Sequence, residues 1–176
     1  AVGARGTILH LKDSRWEKVS SPTNYNLHSV CFSNPDYGYA VGENGTFLSY
    51  RNGLWENVGL KSPWHFYAVT MKDNLAFIAG GRESITVPLM TVSGDGNYRF
   101  TEIHNPGYVE ITGIAMQDMD DIWAVGRRGA ILQKKGDDWK EVSLDYKLPS
   151  LTGIFFSDDD LGLITGHYGL IMTYSG

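Results

Sequence analysis

Cysteine is nearly absent from this sequence, since Cys31 is the only one among 176 residues. A single thiol excludes an internal disulfide, and its place within an apolar run predicts a buried small hydrophobic residue rather than a reactive thiol. No stretch of 18 apolar residues occurs, so no segment is predicted to insert into a membrane. No signal peptide is visible and the chain begins at Ala1, which we interpret as removal of a leader or excision from a longer protein.

Signatures of common catalytic and metal chemistry are also missing from the sequence. There is no Gly-rich phosphate loop and no Gly-x-Ser-x-Gly nucleophile motif. The five histidines lack the spacing of zinc ligands, and the net charge of −5 argues against nucleic-acid binding. We therefore predict no cofactor, no metal and no nucleic-acid partner.

A short phrase ending in glycine returns five times along the chain, as in AVGENG and AVGRRG. The first glycines of these phrases are spaced by 39, 38, 46 and 40 residues, and they are Gly3, Gly42, Gly80, Gly126 and Gly166. An apolar segment precedes four of them, at 27–32, 66–71, 111–116 and 151–156, and we name it strand A. The glycine phrase ends strand B, a two-residue turn leads to strand C, and a Trp- or Phe-bearing segment forms strand D.

Four short strands in each unit of about 40 residues predict an all-β protein, a β-propeller of four-stranded antiparallel blades. We predict five blades in a single domain, with the first and last incomplete, at approximately 1–19, 26–58, 65–104, 110–143 and 150–176. Small residues in strand A fit a crowded axis where blades converge: Ser29, Ala68, Gly113 and Gly153. The alternative is a sandwich or barrel of meandering hairpins.

The glycines themselves are interpreted as structural. A tight B–C hairpin needs positive φ near its tip, which glycine and asparagine tolerate. We expect the first glycine of each phrase to let the neighbouring blade approach closely. The third repeat departs from the others, because the stretch 81–88 replaces its short turn.

These residues resemble a known group of repeats. The pattern of strand A, AVGxxGxIL and a turn before W-x-x-V is similar to degenerate Asp-box (BNR-type) propeller repeats of secreted bacterial proteins and to lumenal photosystem II assembly-factor propellers. The Asp-box turn itself is approached only by Ser93–Phe100, with Phe in the place of Trp. The resemblance implies an extracytoplasmic location (secreted, periplasmic or lumenal) and a binding role.

Asp-box repeats also occur in sialidase-type enzymes, which raises glycoside hydrolysis as an alternative function. Arginines are present, but the short chain lacks the long loops that build such a pocket. A glycosidase needs two facing carboxylates, which abundant acidic residues do not by themselves indicate. The acidic runs 118–121 and 158–160 are candidate calcium ligands or, as we prefer, solvated hairpin turns.

Strand order predicts two faces of different charge. In an up-and-down blade, the A–B and C–D turns lie on one face, and the B–C turns and D–A connections lie on the other. Of 13 Asp residues, 12 fall in A–B or C–D turns, and only Asp145 falls on the second face. The second face instead carries aromatic, Arg and His residues, which recognition surfaces favour.

We predict that this second face binds a partner, with Arg127 and Arg128 as the electrostatic centre. The candidate partner-binding residues are Arg5, Arg82, Arg127, Arg128, His167, Tyr168, Trp64, His65 and Tyr108. The predicted function is a non-catalytic binding or scaffold propeller that recognises a protein or peptide. The alternative is a carbohydrate-binding lectin or glycoside hydrolase of the Asp-box propeller type, for which the partner is a glycan.

Overall fold

The computed structural model describes residues 1–59, 63–82, 85–86, 89–93, 98–103, 109–157 and 161–175. Within these ranges the chain forms strands and single 3-10 turns, and none of its helices is long and apolar enough to cross a membrane. The Asp-box-like turn 94–97, the acidic run 158–160 and Tyr108 lie outside the described residues.

The strands form five consecutive antiparallel sheets, here numbered 1 to 5. Sheet 1 contains β1 (Ile8–Lys12) and β2 (Arg15–Val19). Sheet 2 contains β3 (Leu27–Asn34), β4 (Tyr37–Gly42), β5 (Phe47–Arg51) and β6 (Leu54–Asn57). Sheet 3 contains β7 (His65–Lys72), β8 (Leu75–Arg82), β9 (Ile85–Thr86), β10 (Leu89–Ser93) and β11 (Arg99–Ile103).

Sheet 4 contains β12 (Ile111–Met116), β13 (Asp121–Gly126), β14 (Ile131–Lys135) and β15 (Asp138–Glu141). Sheet 5 contains β16 (Leu151–Phe156), β17 (Leu161–Gly166) and β18 (Ile171–Ser175). Sheets 2 and 4 have the order A-B-C-D predicted from the sequence. The predicted all-β propeller is therefore confirmed, with incomplete sheets at both ends of the described chain.

Two details differ from the sequence prediction. In the first unit, Val2, just before the glycine phrase ends, forms a single bridge with Ile8. In the third unit, the departure after Gly81 includes an extra strand, β9, which pairs with the end of β8. β9 thus extends the B–C connection at the end of β8, and the A-B-C-D order of sheet 3 is kept.

Each sheet packs one face against the next sheet, and the core consists of these interfaces. Between sheets 2 and 3, Tyr39 and Phe47 pack on Phe66 and Ile78, and all four are fully buried. Similar clusters join sheets 1 and 2, sheets 3 and 4, and sheets 4 and 5. Burial of these apolar faces supplies most of the driving force for folding, because no sheet can cover its own two faces.

Cys31 packs against the cluster between sheets 2 and 3, as predicted for a small hydrophobic residue. Burial raises the pKa of its thiol. Tyr39 lies deeper in the same cluster and shares a hydroxyl hydrogen bond with Tyr37. Burial raises the pKa of Tyr39 strongly.

The innermost strands come close together where the sequence has small residues. A Cβ on Gly113 of β12 would lie 3.1 Å from the Cα of Gly153 in the next sheet. Between sheets 2 and 3, the Ser29 hydroxyl accepts a hydrogen bond from the backbone N–H of Val69 at 3.2 Å. The expectation that small side chains are needed where blades converge is confirmed by this approach.

Sheet 5 leaves its outer face uncovered by the described residues. Phe155, Leu163 and Ile171 are 64%, 40% and 67% exposed. By register, Ile171 corresponds to Ile131 in sheet 4, which is only 4% exposed because sheet 5 covers it. These positions are therefore apolar because the repeat makes them so in every unit. Whether they are buried depends on a sheet packing against them.

Candidate partner-binding face

Every described B–C connection is the same tight 3-10 turn. These turns are Ala4–Gly6, Glu43–Gly45, Arg127–Gly129 and His167–Gly169. The second tip residue has a left-handed conformation in each, with φ of 54°, 51°, 59° and 60° for Arg5, Asn44, Arg128 and Tyr168. Only asparagine among these three residue types adopts that conformation readily. Arg128 and Tyr168 are therefore held in a strained turn with their side chains directed outward, where both are exposed.

The end of each D–A connection lies directly beside a B–C turn. The N–H of Arg127 donates to the carbonyl of Glu110 at 2.9 Å, and the N–H of His167 donates to the carbonyl of Ser150 at 2.9 Å. On the opposite face, the C–D turn meets the A–B turn, as when the N–H of Gly136 donates to the carbonyl of Asp120 at 3.0 Å. The hydrogen bonds thus place the turns on the two faces that strand order predicts.

The residue just before strand A links each sheet to the preceding one. The N–H of the second tip residue donates to its side chain: Arg5 to Asn26 Oδ1, Asn44 to His65 Nδ1 and Arg128 to Ser150 Oγ. The distances are 2.8, 3.3 and 3.2 Å. The sequence analysis named His65 but missed Asn26 and Ser150, because the residue type at this position changes from unit to unit. Only its constant place, immediately before an apolar strand A, could have shown it.

This contact gives His65 a structural position in the fold. Its ring also lies near that of Tyr67, with centroids 6.4 Å apart. Trp64, its neighbour, is partly buried against the core between sheets 2 and 3, and its carbonyl accepts a hydrogen bond from Gly45. Of the nine residues proposed from the sequence, these two are the ones that the structure ties most closely to packing between sheets.

The glycine interpretation needs one correction. The first glycine of the phrase is approached by its own sheet, since a Cβ on Gly126 would lie 2.3 Å from the carbonyl oxygen of Glu110. The second glycine is approached by the D–A connection that leads to the next sheet: a Cβ on Gly129 would lie 2.5 Å from the Cβ of Leu148. The predicted close approach of the neighbouring blade at the first glycine is therefore wrong, and the second glycine makes room for the connection between blades.

Arg127 and Arg128 have different environments although they are adjacent. The Nε of Arg127 lies 2.9 Å from Oε1 of Glu110, whose side chain is only 8% exposed. The same two positions in sheet 2 hold Glu43 and Asn26, joined by a hydrogen bond of 2.9 Å. Arg127 therefore balances a buried carboxylate.

Arg128 lines an open cleft of about 500 Å³ between the B–C turn of sheet 4 and the D–A connection that follows that sheet. The other lining residues come from the end of sheet 4 and its D–A connection: Gly129, Glu141, Val142, Ser143, Leu144, Tyr146, Lys147 and Leu148. Tyr146 is 61% exposed and Leu144 is 39% exposed. The cleft thus combines two cationic side chains, one carboxylate, an aromatic ring and aliphatic surface.

The remaining predicted residues are spread around the same face. Arg5 and His167 are exposed at tips of the first and last units, and Tyr168 is 97% exposed. Arg82 ends β8, whereas Tyr108 lies outside the described residues. Arg127 and Arg128 share one B–C turn. The other described tip residues lie in the B–C turns of other sheets, one turn in each sheet.

Within the described ranges, no group of three His, Cys, Asp or Glu residues is arranged to hold a metal ion. The acidic turn at 118–121 uses its carboxylates internally. Asp118 Oδ1 accepts the N–H groups of Asp120 and Asp121, both at 2.7 Å. Asp121 Oδ1 accepts the side-chain amide of Gln133 at 2.9 Å. These contacts are typical of an Asx turn that stabilises a hairpin.

Comparison with known proteins gives no match to a family model and none to a curated protein. Solved structures do match. The chain is similar to YCF48 bound to a D1 peptide (TM-score 0.70, 19% identity), with 99% of this chain and 56% of that chain covered. It is also similar to YCF48 from Cyanidioschyzon merolae (TM-score 0.75, 18% identity), with 99% and 62% covered.

The WD40 β-propeller domain of Doa1 is a further similar structure, with a TM-score of 0.69, 14% identity and 99% and 60% of the two chains covered. The chain therefore spans about three fifths of the length of these solved chains. At such identities the likeness shows the fold, and that fold is a β-propeller.

Proposed function

We propose that this protein is a non-catalytic propeller that binds a protein or peptide partner through the face carrying the B–C turns and D–A connections. The observation that carries the proposal is the exposed Arg128 at the cleft formed with the D–A connection of sheet 4. A left-handed backbone is more strained for arginine than for asparagine, which holds the equivalent tip of sheet 2 as Asn44.

The chemistry of the cleft favours a segment that carries a carboxylate and an apolar side chain. Arg128 and Lys147 supply positive charge, and an arginine can bind a carboxylate through two hydrogen bonds. Tyr146 and Leu144 supply apolar surface beside them. Glu110 does not oppose this charge, because Arg127 balances its carboxylate.

The similar structure of YCF48 with a D1 peptide gives a precedent for peptide binding on this fold. Because the identity is only 19%, this structure supports peptide binding by the fold but does not identify the ligand of this protein. The five B–C tips differ from one another in sequence, which fits one asymmetric partner better than a repeated sugar. No contact in the described residues favours the glycan alternative.

The test compares the wild-type protein with Arg128→Asn in selection from a phage library of random peptides. Asparagine is chosen because Asn44 occupies the same tip position with nearly the same φ, so the turn is retained. We expect the wild type to enrich peptides that contain Asp or Glu near an apolar residue. Binding of those peptides to the variant should fall by about tenfold or more.

Arg15→Asn is the matched control, since Arg15 is also exposed but lies on β2. That variant should bind the selected peptides as the wild type does. Equal binding to Arg128→Asn, or a failure of the wild type to enrich any peptide, would reject the proposal. A glycan array probed with the same proteins tests the lectin alternative separately.

A further inference from the structure

Three rings lie side by side where sheets 2 and 3 meet, at the end of the sheets that carries the B–C turns. The ring centroids of His28 and Tyr67 are 5.4 Å apart, and those of His65 and Tyr67 are 6.4 Å apart. His28 is the second residue of β3 and Tyr67 the third residue of β7, so both follow directly after a D–A connection. His28 is exposed, whereas Tyr67 and His65 are partly buried.

A β-bulge at the start of strand A sets the direction of two of these rings. The pairing of β3 with β4 skips His28, and the pairing of β7 with β8 skips Tyr67. A residue that a bulge leaves out of the ladder has its side chain redirected. Sheets 4 and 5 have a bulge at the same place, but it holds Thr112 and Thr152. Two ring-bearing bulges therefore come together where sheet 2 meets sheet 3.

A carboxylate adjoins these rings. Glu43 is the first tip residue of the B–C turn in sheet 2, and the N–H of the next residue, Asn44, donates to His65 Nδ1 at 3.3 Å. Oε1 of Glu43 accepts the side-chain amide of Asn26 at 2.9 Å, and Glu43 forms no ion pair within the part of the chain that the structure describes. Burial lowers the pKa of His28, whereas the negative charge of Glu43 acts to raise it. The Glu43 carboxylate is therefore close enough to the rings for its charge to act on them.

Sheet 4 carries the opposite charge at the equivalent turn. There, Arg127 is the first tip residue and its guanidinium pairs with Glu110, while Arg128 adds a second positive charge. The face with the B–C turns thus has an anionic end at sheet 2 and a cationic end at sheet 4. A partner that extends across this face is complementary to it when it carries charges of both signs.

We propose that Glu43 and the rings of His28, Tyr67 and His65 form a site for a lysine or arginine side chain of the partner polypeptide. The cation pairs with the Glu43 carboxylate and lies against the Tyr67 ring, whose face attracts positive charge. This inference rests on the proposed function, because it assigns a second contact to the same binding face. The cleft at Arg128 takes a carboxylate of the partner, and the site at Glu43 takes a cation.

The test is selection from a phage library of random peptides on four proteins: the wild type, Glu43→Gln, Glu56→Gln and Arg128→Asn. Glutamine keeps an acceptor for the amide of Asn26, so Glu43→Gln removes the charge and retains the hydrogen bond. Glu56→Gln is the matched control, since Glu56 is exposed in the same sheet but lies on the outer strand β6.

We expect the wild type, Glu56→Gln and Arg128→Asn to enrich peptides that contain lysine or arginine, and Glu43→Gln to lose this enrichment. Selected peptides are then synthesised with blocked ends, together with copies in which glutamine replaces the lysine or arginine. This replacement should weaken binding to the wild type about fivefold. It should leave binding to Glu43→Gln nearly unchanged, because that protein lacks the carboxylate that pairs with the cation.

The proposal is overturned if wild-type peptides show no enrichment of lysine or arginine, or if Glu43→Gln retains it. An equal loss of enrichment on Glu56→Gln, or unchanged wild-type binding after the glutamine replacement, would also overturn it. Failure of the proposed function has a different signature. If Arg128→Asn binds the Asp- or Glu-containing peptides as the wild type does, the carboxylate site fails while the cation site stands.

The opposite pattern is equally distinct. Enrichment of Asp or Glu on the wild type, with no lysine or arginine, would support the cleft at Arg128 and remove the site at Glu43. A wild type that enriches no peptide at all would reject both.

Discussion

The Nε atom of Arg127 lies 2.9 Å from Oε1 of Glu110, which joins an exposed guanidinium to a carboxylate that is almost fully buried. Glu110 comes just before β12, and Arg127 is the first tip residue of the B–C turn in the same sheet. The pair therefore joins the start of strand β12 to the turn between β13 and β14 in the same sheet. Arg127 therefore contributes to the stability of the propeller as well as to the charge of the proposed binding face.

Replacing Arg127 with alanine should lower the free energy of unfolding by about 1–3 kcal/mol, because the Glu110 carboxylate would keep its burial and lose its ionic partner. Glu110→Gln together with Arg127→Ala should recover part of this loss, since the buried group is then neutral. Urea unfolding of the wild type and the two variants measures both effects. An Arg127→Ala protein as stable as the wild type would show that the pair contributes nothing.

Ile131 and Ile171 occupy the same register position in sheets 4 and 5 but differ in burial, with 4% and 67% exposed. Ile131→Ala should destabilise the protein by about 2–5 kcal/mol, because it removes buried methyl groups from a packed interface. Ile171→Ala should change stability by less than about 0.5 kcal/mol. Chemical unfolding measures the two values, and similar losses would contradict the view that sheet 5 has an uncovered face.

Gly129 and Gly169 form a second matched pair, at the ends of equivalent turns with φ of 75° and 74°. Alanine is strained at both positions by about 1–2 kcal/mol. At Gly129 its Cβ would also lie 2.5 Å from the Cβ of Leu148, whereas nothing lies within 4 Å at Gly169. Gly129→Ala should therefore lower the melting temperature clearly more than Gly169→Ala, and an equal drop would exclude a steric contribution from Leu148.

The stability of the protein should depend on the protonation of His28. Partial burial lowers the pKa of His28 below 6.5, against the opposing effect of Glu43 and with a further lowering by His65. The unfolded chain binds this proton near pH 6.5, so it holds more protons than the folded chain just below that pH. The stabilising contribution of neutral His28 is thus present above pH 6.5 and is lost as the pH falls toward the folded pKa.

Replacement of His28 by glutamine should therefore reduce the decrease in melting temperature between pH 7.5 and pH 5. Thermal unfolding of both proteins across this range, at constant ionic strength, measures the difference. The effect is expected to be small because His28 is partly exposed. Identical pH profiles for the two proteins would exclude a role for this side chain.

The sequence by itself determined the strand order. Apolar segments such as 111–116, followed by a turn and a glycine phrase, recur about every 40 residues, and consecutive antiparallel strands joined by short turns pair with their neighbours. The same order determined which turns share a face, because each hairpin reverses the chain. These features depend on local pattern, so a single sequence is enough to read them.

Only the tertiary structure decided what each tip residue contacts. Arg127 and Arg128 are adjacent and chemically identical, but their contacts differ. The side chain of Arg127 pairs with Glu110, whereas the backbone N–H of Arg128 donates to the hydroxyl of Ser150 and its side chain lines an open cleft. Glu110 lies 17 residues from Arg127 along the chain and reaches it because β12 pairs with β13 within sheet 4. Ser150 lies 22 residues from Arg128 and reaches it because sheet 5 packs beside sheet 4. The burial of Ile131 and the exposure of Ile171 have the same cause, since a repeat specifies an apolar position while the neighbouring sheet determines whether water reaches it.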